Sequence, residues 1–284
     1  MHVSDVLADL IAEQQALDAV VAPLAPEQWS LATPSPRWTI ADQIAHLTYF
    51  DGTAALAIVD EDAFNDAMGA LVGLMGSDDP DAADEVTIGD LRNLPPAELI
   101  ERWRSNREAL ASAAASLADD ARVAWYGPSM GAKSFLTARL MEAWAHGQDI
   151  VDALDEHGAT DRPATDRPAT DRVRHIAQLG VITRGWTYMN RGLDAPTTPV
   201  RVELTAPSGD TWTFGPDDAD ESIVGPAVDF CLVTTQRGHV DDTDLVVTGD
   251  AARDWMEKAQ LFAGPPTDGP GARTTGGRRS SRSA

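Results

Sequence analysis

The chain of 284 residues contains a single cysteine, Cys231. That excludes an intramolecular disulfide and any zinc cluster built on several thiolates, so a metal here has to be held by His, Asp or Glu. Basic residues are scarce too: 22 Lys and Arg stand against 45 Asp and Glu, a formal net charge of -23. A surface of that sign repels phosphate backbones and anionic headgroups, which argues against nucleic acid and membrane surfaces as partners. The sequence has no uncharged apolar run of ~18 residues able to span a bilayer. Its first residues, Met1 to Asp5, carry neither the basic nor the apolar region of a signal peptide. A cytoplasmic location is the expectation. Aromatic residues make up only 6%, eight of them Trp, and in so acidic a chain these are expected as core and interface anchors rather than base-stacking platforms.

What is present bounds the architecture. The hydrophobic fraction of 43% is enough to bury a core, and the length points to two domains. Val3, Val6, Leu7, Leu10, Ile11, Leu17, Val20 and Val21 mark one face of a helix that Pro23 and Pro26 end. Thr39, with Asp42 three positions on, caps a second helix carrying Ile40, Ile44 and Leu47. Alanine-rich sequence continues it to about Met75, with a break near Asp60. Gly76–Asp84 reads as an acidic loop. Pro95 and Pro96 open a third helix through Leu99, Trp103, Leu110 and Leu117, and Ser134 caps a fourth from Phe135 to Leu154. Four long helices with loops between them describe a bundle whose facing helices can bring polar side chains into the core.

Residues 158–172 read GATDRPATDRPATDR. Proline every fifth residue forbids a regular helix, so this is a linker. A fifth helix is expected over Asp171–Asn190. The period then changes: Val200, Val202 and Leu204 alternate, Pro207–Asp210 is a turn, and Thr211–Phe214 completes a hairpin. Leu245–Thr248 is another strand, with helices at Pro226–Gln236 and Ala251–Phe262. The expectation is a mainly α protein with a smaller α+β part: a metal-binding bundle over 1–157, the linker over 158–172, a helix plus small α+β domain over 173–263, and a disordered tail over 264–284 with a basic end.

The residues with chemistry are few. Glu142 and His146 stand four apart, and four residues turn a helix by about 400°, so the two side chains stack on one face. Ala143, Ala145 and Gly147 leave room beside them. Such a pair is also common on solvated faces. His46 lies mid-helix among apolar positions; a histidine there either hydrogen-bonds a neighbour such as Asp42 or supplies a third ligand. His46, Glu142 and His146 together would make the three-ligand pattern of catalytic zinc, with a fourth position open. Asp42 and Asp149 are candidate partners orienting His46 and His146. Cys231 reads as a small core residue, His157 and His175 as solvated, and His2 as disordered.

The segments Trp38-Thr39-Ile40-Ala41-Asp42-Gln43-Ile44-Ala45-His46-Leu47 and Glu142-Ala143-Trp144-Ala145-His146-Gly147-Gln148-Asp149-Ile150 resemble the DinB-like superfamily. More narrowly they are similar to the mycothiol-dependent maleylpyruvate isomerase family. The run Gly225–Phe230, Arg237, Val247–Asp250 and Trp255 is similar to that family's small sterol-carrier-like C-terminal domain. The resemblance implies a DinB-like four-helix bundle followed by a small α+β domain, with His46, Glu142 and His146 as metal ligands. Many DinB-like proteins use three histidines, so Glu142 favours the isomerase branch.

It further implies a divalent metal, zinc foremost, that binds the thiol of mycothiol or a similar small thiol and lowers its pKa. The thiolate then attacks a small electrophile, in isomerisation or in S-transfer. Arg237, after a helix of the second domain, is the candidate to hold a substrate carboxylate bidentately, with an ordinary surface arginine as the plain alternative. His239 is a candidate neighbour in the same site. The partners implied are the thiol and the electrophile, with the protein a monomer or a homodimer. The competing reading is a non-catalytic module that binds metal or a small ligand. A role on DNA is discounted at this net charge.

Overall fold

In the computed structural model, residues 2–72, 80–158 and 169–273 are described. The chain divides into two compact units, 1–167 and 168–284.

The first unit opens with α1 (Val3–Val21), whose buried side includes Val3, Val6, Leu7, Leu10, Leu17 and Val21. The helix α2 (Ile40–Val59) begins at a reciprocal capping box: Asp42 N donates to Thr39 Oγ1 at 3.3 Å, and Thr39 N donates to Asp42 Oδ2 at 2.9 Å. These bonds satisfy orphan donors of the first turn and fix the rotational setting of the helix. That setting decides where His46 points, two turns later. A break at Asp60 leads into α3 (Glu61–Val72), followed by α4 (Pro80–Arg92) and α5 (Pro96–Ala114). A hairpin of β1 (Arg122–Trp125) and β2 (Gly127–Gly131) pairs Arg122 with Gly131 and Val123 with Met130. It delivers the chain into α6 (Ala132–Glu156), where Ala132 N bonds to Ala121 O at 2.8 Å.

α2 packs along α5 and α6, and α1 packs along the same two, which makes the four-helix bundle. Leu17, Val21, Ile40, Ile44, Leu47, Leu99, Trp103, Ile150 and Leu154 close its core. Each such aliphatic side chain, fully buried, contributes roughly 1.5–3 kcal/mol relative to exposure.

Several expectations need correcting. Within the expected loop Gly76–Asp84, residues 80–84 belong to α4, and residues 73–79 lie outside the described residues. This acidic helix, with Ile88 buried, is fastened by tertiary bonds: Arg92 Nε donates to Asp42 Oδ1 at 2.9 Å and Trp38 Nε1 donates to Asp84 Oδ2 at 3.0 Å. Its own pattern is too polar to announce it. The Gly127–Gly131 break is a strand of a hairpin, and the residue preceding α6 is Gly131 rather than Ser134.

The second unit begins with α7 (Val173–Ile182) and α8 (Arg184–Met189). The single helix expected over Asp171–Asn190 is interrupted at Thr183, which sits at φ -92°, ψ 9°. β3 (Val200–Thr205) and β4 (Thr211–Phe214) form the expected hairpin, with Gly209 supplying the positive φ of its turn. β5 (Glu221–Pro226), not foreseen, lies parallel to β3, and β6 (Val246–Thr248) pairs antiparallel to β5, for an order β4-β3-β5-β6. Only Ile223 and Val224 give β5 an apolar signal; pairing with β3 makes it a strand. α9 (Ala227–Thr234) and α10 (Asp250–Lys258) complete the unit, and Val202, Leu204, Trp212, Ile223, Phe230 and Trp255 are buried in it.

The tail expected to be unstructured from Gly264 lies against this unit as far as Arg273. Thr267 Oγ1 bonds to Gln236 Oε1 at 2.5 Å, Arg191 Nη1 to Asp268 Oδ1 at 2.8 Å, and Arg273 N to Asp242 Oδ2 at 3.0 Å. Residues 274–284, and 159–168 of the Thr-Asp-Arg-Pro-Ala repeat, lie outside the described residues. Among the described residues no helix is long and apolar enough to cross a membrane.

Candidate metal centre

His46 comes from α2, and Glu142 and His146 from adjacent turns of α6. One ligand atom from each lies within 4.8 Å of the other two. Glu142 Oε2 is 2.9 Å from His146 Nε2 and 3.3 Å from His46 Nε2. A tetrahedral zinc with bonds of roughly 2.0–2.2 Å keeps its ligands roughly 3.3–3.6 Å apart, so the two carboxylate–imidazole separations need only small adjustments to share one ion. Two imidazoles and a carboxylate also match the donor preference of a borderline divalent cation.

The electrostatics favour the same use. Burial, with the neighbouring His146, lowers the His46 pKa from 6.5 to about 4, so this imidazole is neutral at pH 7 with a lone pair to offer. Burial opposes charge on Glu142, but hydrogen bonds to His146 and His46 outweigh it and hold the carboxyl well below its ordinary range. The side chains of His46 and Glu142 are 17% and 22% exposed, that of His146 only 8%. The cluster is thus closed behind His146 and open beside the other two.

Its surroundings are aromatic. Trp38 stacks on His146 at 25° and 5.8 Å between ring centres, and tilts onto His46 at 5.1 Å. Phe50 packs on His46 with ring centres 4.5 Å apart. The indole of Trp38 is held by Asp84 of α4, so the helix missing from the sequence reading supports one wall of the site.

Two of the proposed supporting residues do other work. Asp42 is committed to the cap and to Arg92. Asp149 Oδ2 accepts from Ser35 Oγ at 2.9 Å and stands 3.9 Å from His146 Nδ1. The close partner of that nitrogen is Gln43 Oε1, at 2.5 Å. Sequence reasoning passed over Gln43; the available signal was its place three residues before His46, on the same helical face.

The remaining candidates are placed as follows. Arg237 lies in the second unit just beyond α9, where its Nη1 donates to Thr235 O at 2.8 Å. His239 in the same segment accepts from Asp241 N at 3.1 Å. His175 is buried rather than solvated, and His2 meets Asp119 at 2.8 Å. Cys231 is fully buried, and burial pushes its thiol pKa up, as suits a core residue.

Fold and cluster together define a helical-bundle protein with a His/Glu/His donor set between two of its helices, followed by a small α+β unit. Residues 10–151 match the family described as mycothiol maleylpyruvate isomerase N-terminal domain, and residues 196–248 match one described as wyosine base formation. Uncharacterized proteins from two strains of Mycobacterium tuberculosis are each 44% identical over 263 residues, covering 93% of this chain and 97% of theirs. Crystal structures of the mycothiol-dependent maleylpyruvate isomerase share the fold. A point variant of it superposes with a TM-score of 0.53 at 16% identity, over 85% of this chain and 91% of that one. Another structure of the isomerase gives 0.52 at 17%, over 84% and 90%. The chain belongs to the mycothiol maleylpyruvate isomerase N-terminal domain family.

Proposed function

We propose that this protein is a metal- and thiol-dependent enzyme that isomerises a small electrophile or transfers a thiol to it, with His46, Glu142 and His146 holding one divalent ion. The observation that carries the reading is that three possible ligand atoms, from two helices, lie within 4.8 Å of one another. An ion held there supplies a Lewis acid that lowers the pKa of a thiol such as mycothiol, so that a nucleophile is available at neutral pH. The chain's residues prepare the place. His46 is kept neutral and Glu142 ionised, so no proton has to be displaced from either at pH 7. Trp38 and Phe50 both pack on His46 and limit its contact with water. The similarity of the fold to the mycothiol-dependent isomerase supports a thiol as the small-molecule partner.

Arg237 is proposed to hold a carboxylate of the electrophile through its planar guanidinium. Replacing it with Lys is then expected to raise KM with little change in kcat. Cobalt-loaded protein titrated with mycothiol tests the central reading. Charge-transfer absorbance from a sulfur ligand, with release of a proton, is expected. A cobalt spectrum that mycothiol leaves unchanged returns the protein to the competing reading, a metal-binding module without thiol chemistry.

A further inference from the structure

The loop between the first two long helices ends in a tight fold: Trp38 N bonds to Ser35 O at 3.1 Å, Thr33 N to Trp38 O at 2.9 Å, and Ala32 bridges to Thr39. Within it the Thr33 hydroxyl donates to a carbonyl, that of Trp38 at 2.9 Å with that of Ser35 at 3.5 Å. A hydroxyl has one proton. With that proton committed to the loop backbone, Thr33 Oγ1 meets Gln43, 2.8 Å away, as an acceptor, and Gln43 must present its NH2 to it. The other end of the same amide, the carbonyl oxygen, therefore faces His146 Nδ1 at 2.5 Å. A carbonyl oxygen only accepts, so Nδ1 carries a proton. In the neutral ring the lone pair then falls on Nε2, the nitrogen that faces the Glu142 oxygen 2.9 Å away. Lone pair and carboxylate attract only with a cation, a metal ion or a proton, between them.

The opposite arrangement is instructive. If the Gln43 amide turned over, its NH2 would face Nδ1, the proton would move to Nε2, and His146 would donate to Glu142. The cluster would then be satisfied by itself and would have no ligand nitrogen to give on that side. We infer that Gln43 is a positioning residue that locks His146 as an Nε2 ligand, and that Thr33 fixes the lock by preventing the amide from turning over. The inference rests on the metal reading and adds to it the part of the chain that keeps the site from pairing with itself. Such outer partners of metal-bound histidines typically change affinity about 10- to 100-fold when removed.

The test is zinc affinity, measured by chelator competition on the full chain for wild type, Gln43→Met, Thr33→Val and Thr33→Ser. Gln43→Met keeps the length and removes the acceptor; a loss of about 10- to 100-fold is expected. Thr33→Val keeps the shape and removes the hydroxyl, and is expected to weaken zinc about 10-fold. Thr33→Ser keeps the hydroxyl and is expected to match wild type. A packing role of Thr33 predicts the reverse order, Val harmless and Ser damaging, and that order overturns the inference. In the zinc-loaded wild type, the His146 Nδ1 proton is expected as a slowly exchanging resonance that is lost in Gln43→Met. Stoichiometric zinc in wild type with equal affinity in Gln43→Met sinks the lock and leaves the metal site standing. Absence of zinc binding in wild type sinks the metal site itself, and the lock with it.

Discussion

Two polar clusters lie between the same pair of helices, α2 and α6, and they are built on opposite principles. Asp51, 1% exposed, accepts from Gln14 Nε2 at 2.9 Å, from Trp103 Nε1 at 3.2 Å and from Arg139 Nε at 3.3 Å. Burial pushes its pKa up, and each of these groups pulls it back. Every group in that cluster meets a complement, and the cluster is complete. One turn along α6, Glu142 Oε2 faces Nε2 of His46 at 3.3 Å and Nε2 of His146 at 2.9 Å, two rings that can serve as donors or as ligands. The pair of clusters teaches how to tell a structural knot from a ligand site when both are buried, polar and flanked by aromatics. The distinction lies in whether donors and acceptors balance, not in how many charges are present.

The sharpest way to break the comparison is to remove single members from each side. Replacing His46, Glu142 or His146 with Ala is expected to abolish stoichiometric metal in each case, by metal analysis of purified protein. Full metal content in all three variants would sink the site. In the other cluster, Arg139→Met leaves Asp51 buried without its counter-charge and is expected to cost about 3–5 kcal/mol in denaturant unfolding. The double variant Asp51→Leu/Arg139→Met is expected to recover most of that loss, because an apolar pair needs no complement. A double variant as unstable as the single one would show that the knot is more than a balanced pair.

Acid sharpens the contrast further. His46 titrates near 4 in the folded protein and at 6.5 when unperturbed. Between those values the unfolded chain binds the extra proton, so metal-free stability is expected to fall as pH drops from about 6.5 to about 4. Glu142, held below its ordinary 4.5, adds a second loss that begins only below that value. His46→Ala is expected to flatten the upper window and leave the lower one; a wild-type curve flat from 6.5 to 4 would contradict the neutral, buried imidazole. The smallest effect belongs to the aromatic wall. Asp84→Ala removes one partner of the Trp38 indole and is expected to cost about 1 kcal/mol, with a shift in Trp fluorescence and weaker metal retention.

The bundle was legible in the sequence because its signals are local. The apolar face of α1, the Thr39/Asp42 cap and the alternation of Val200, Val202 and Leu204 each lie within one element. His46, Glu142 and His146 could be named from residue type and spacing, with the family resemblance supplying their meeting. α4 and β5 were illegible for the opposite reason: Ile88, Asp84 and Arg92 on one, Ile223 on the other, gain their partners only from distant parts of the chain. Gln43 escaped notice because an amide in a helix carries no chemistry until its two neighbours are known.

By itself, then, the sequence determined the donor types available to a metal, the absence of thiolate clusters, the acidic surface and the helices that present the donors. These follow from composition and from periodicity over a few residues. The tertiary structure alone decided that α2 and α6 face each other at His46 and Glu142, that Asp51 is answered by Gln14, Trp103 and Arg139 while Glu142 faces two imidazoles, and that Thr33 and Gln43 stand in line behind His146. Each of those is a relation between atoms far apart in the chain, and packing of the bundle core is what fixes it.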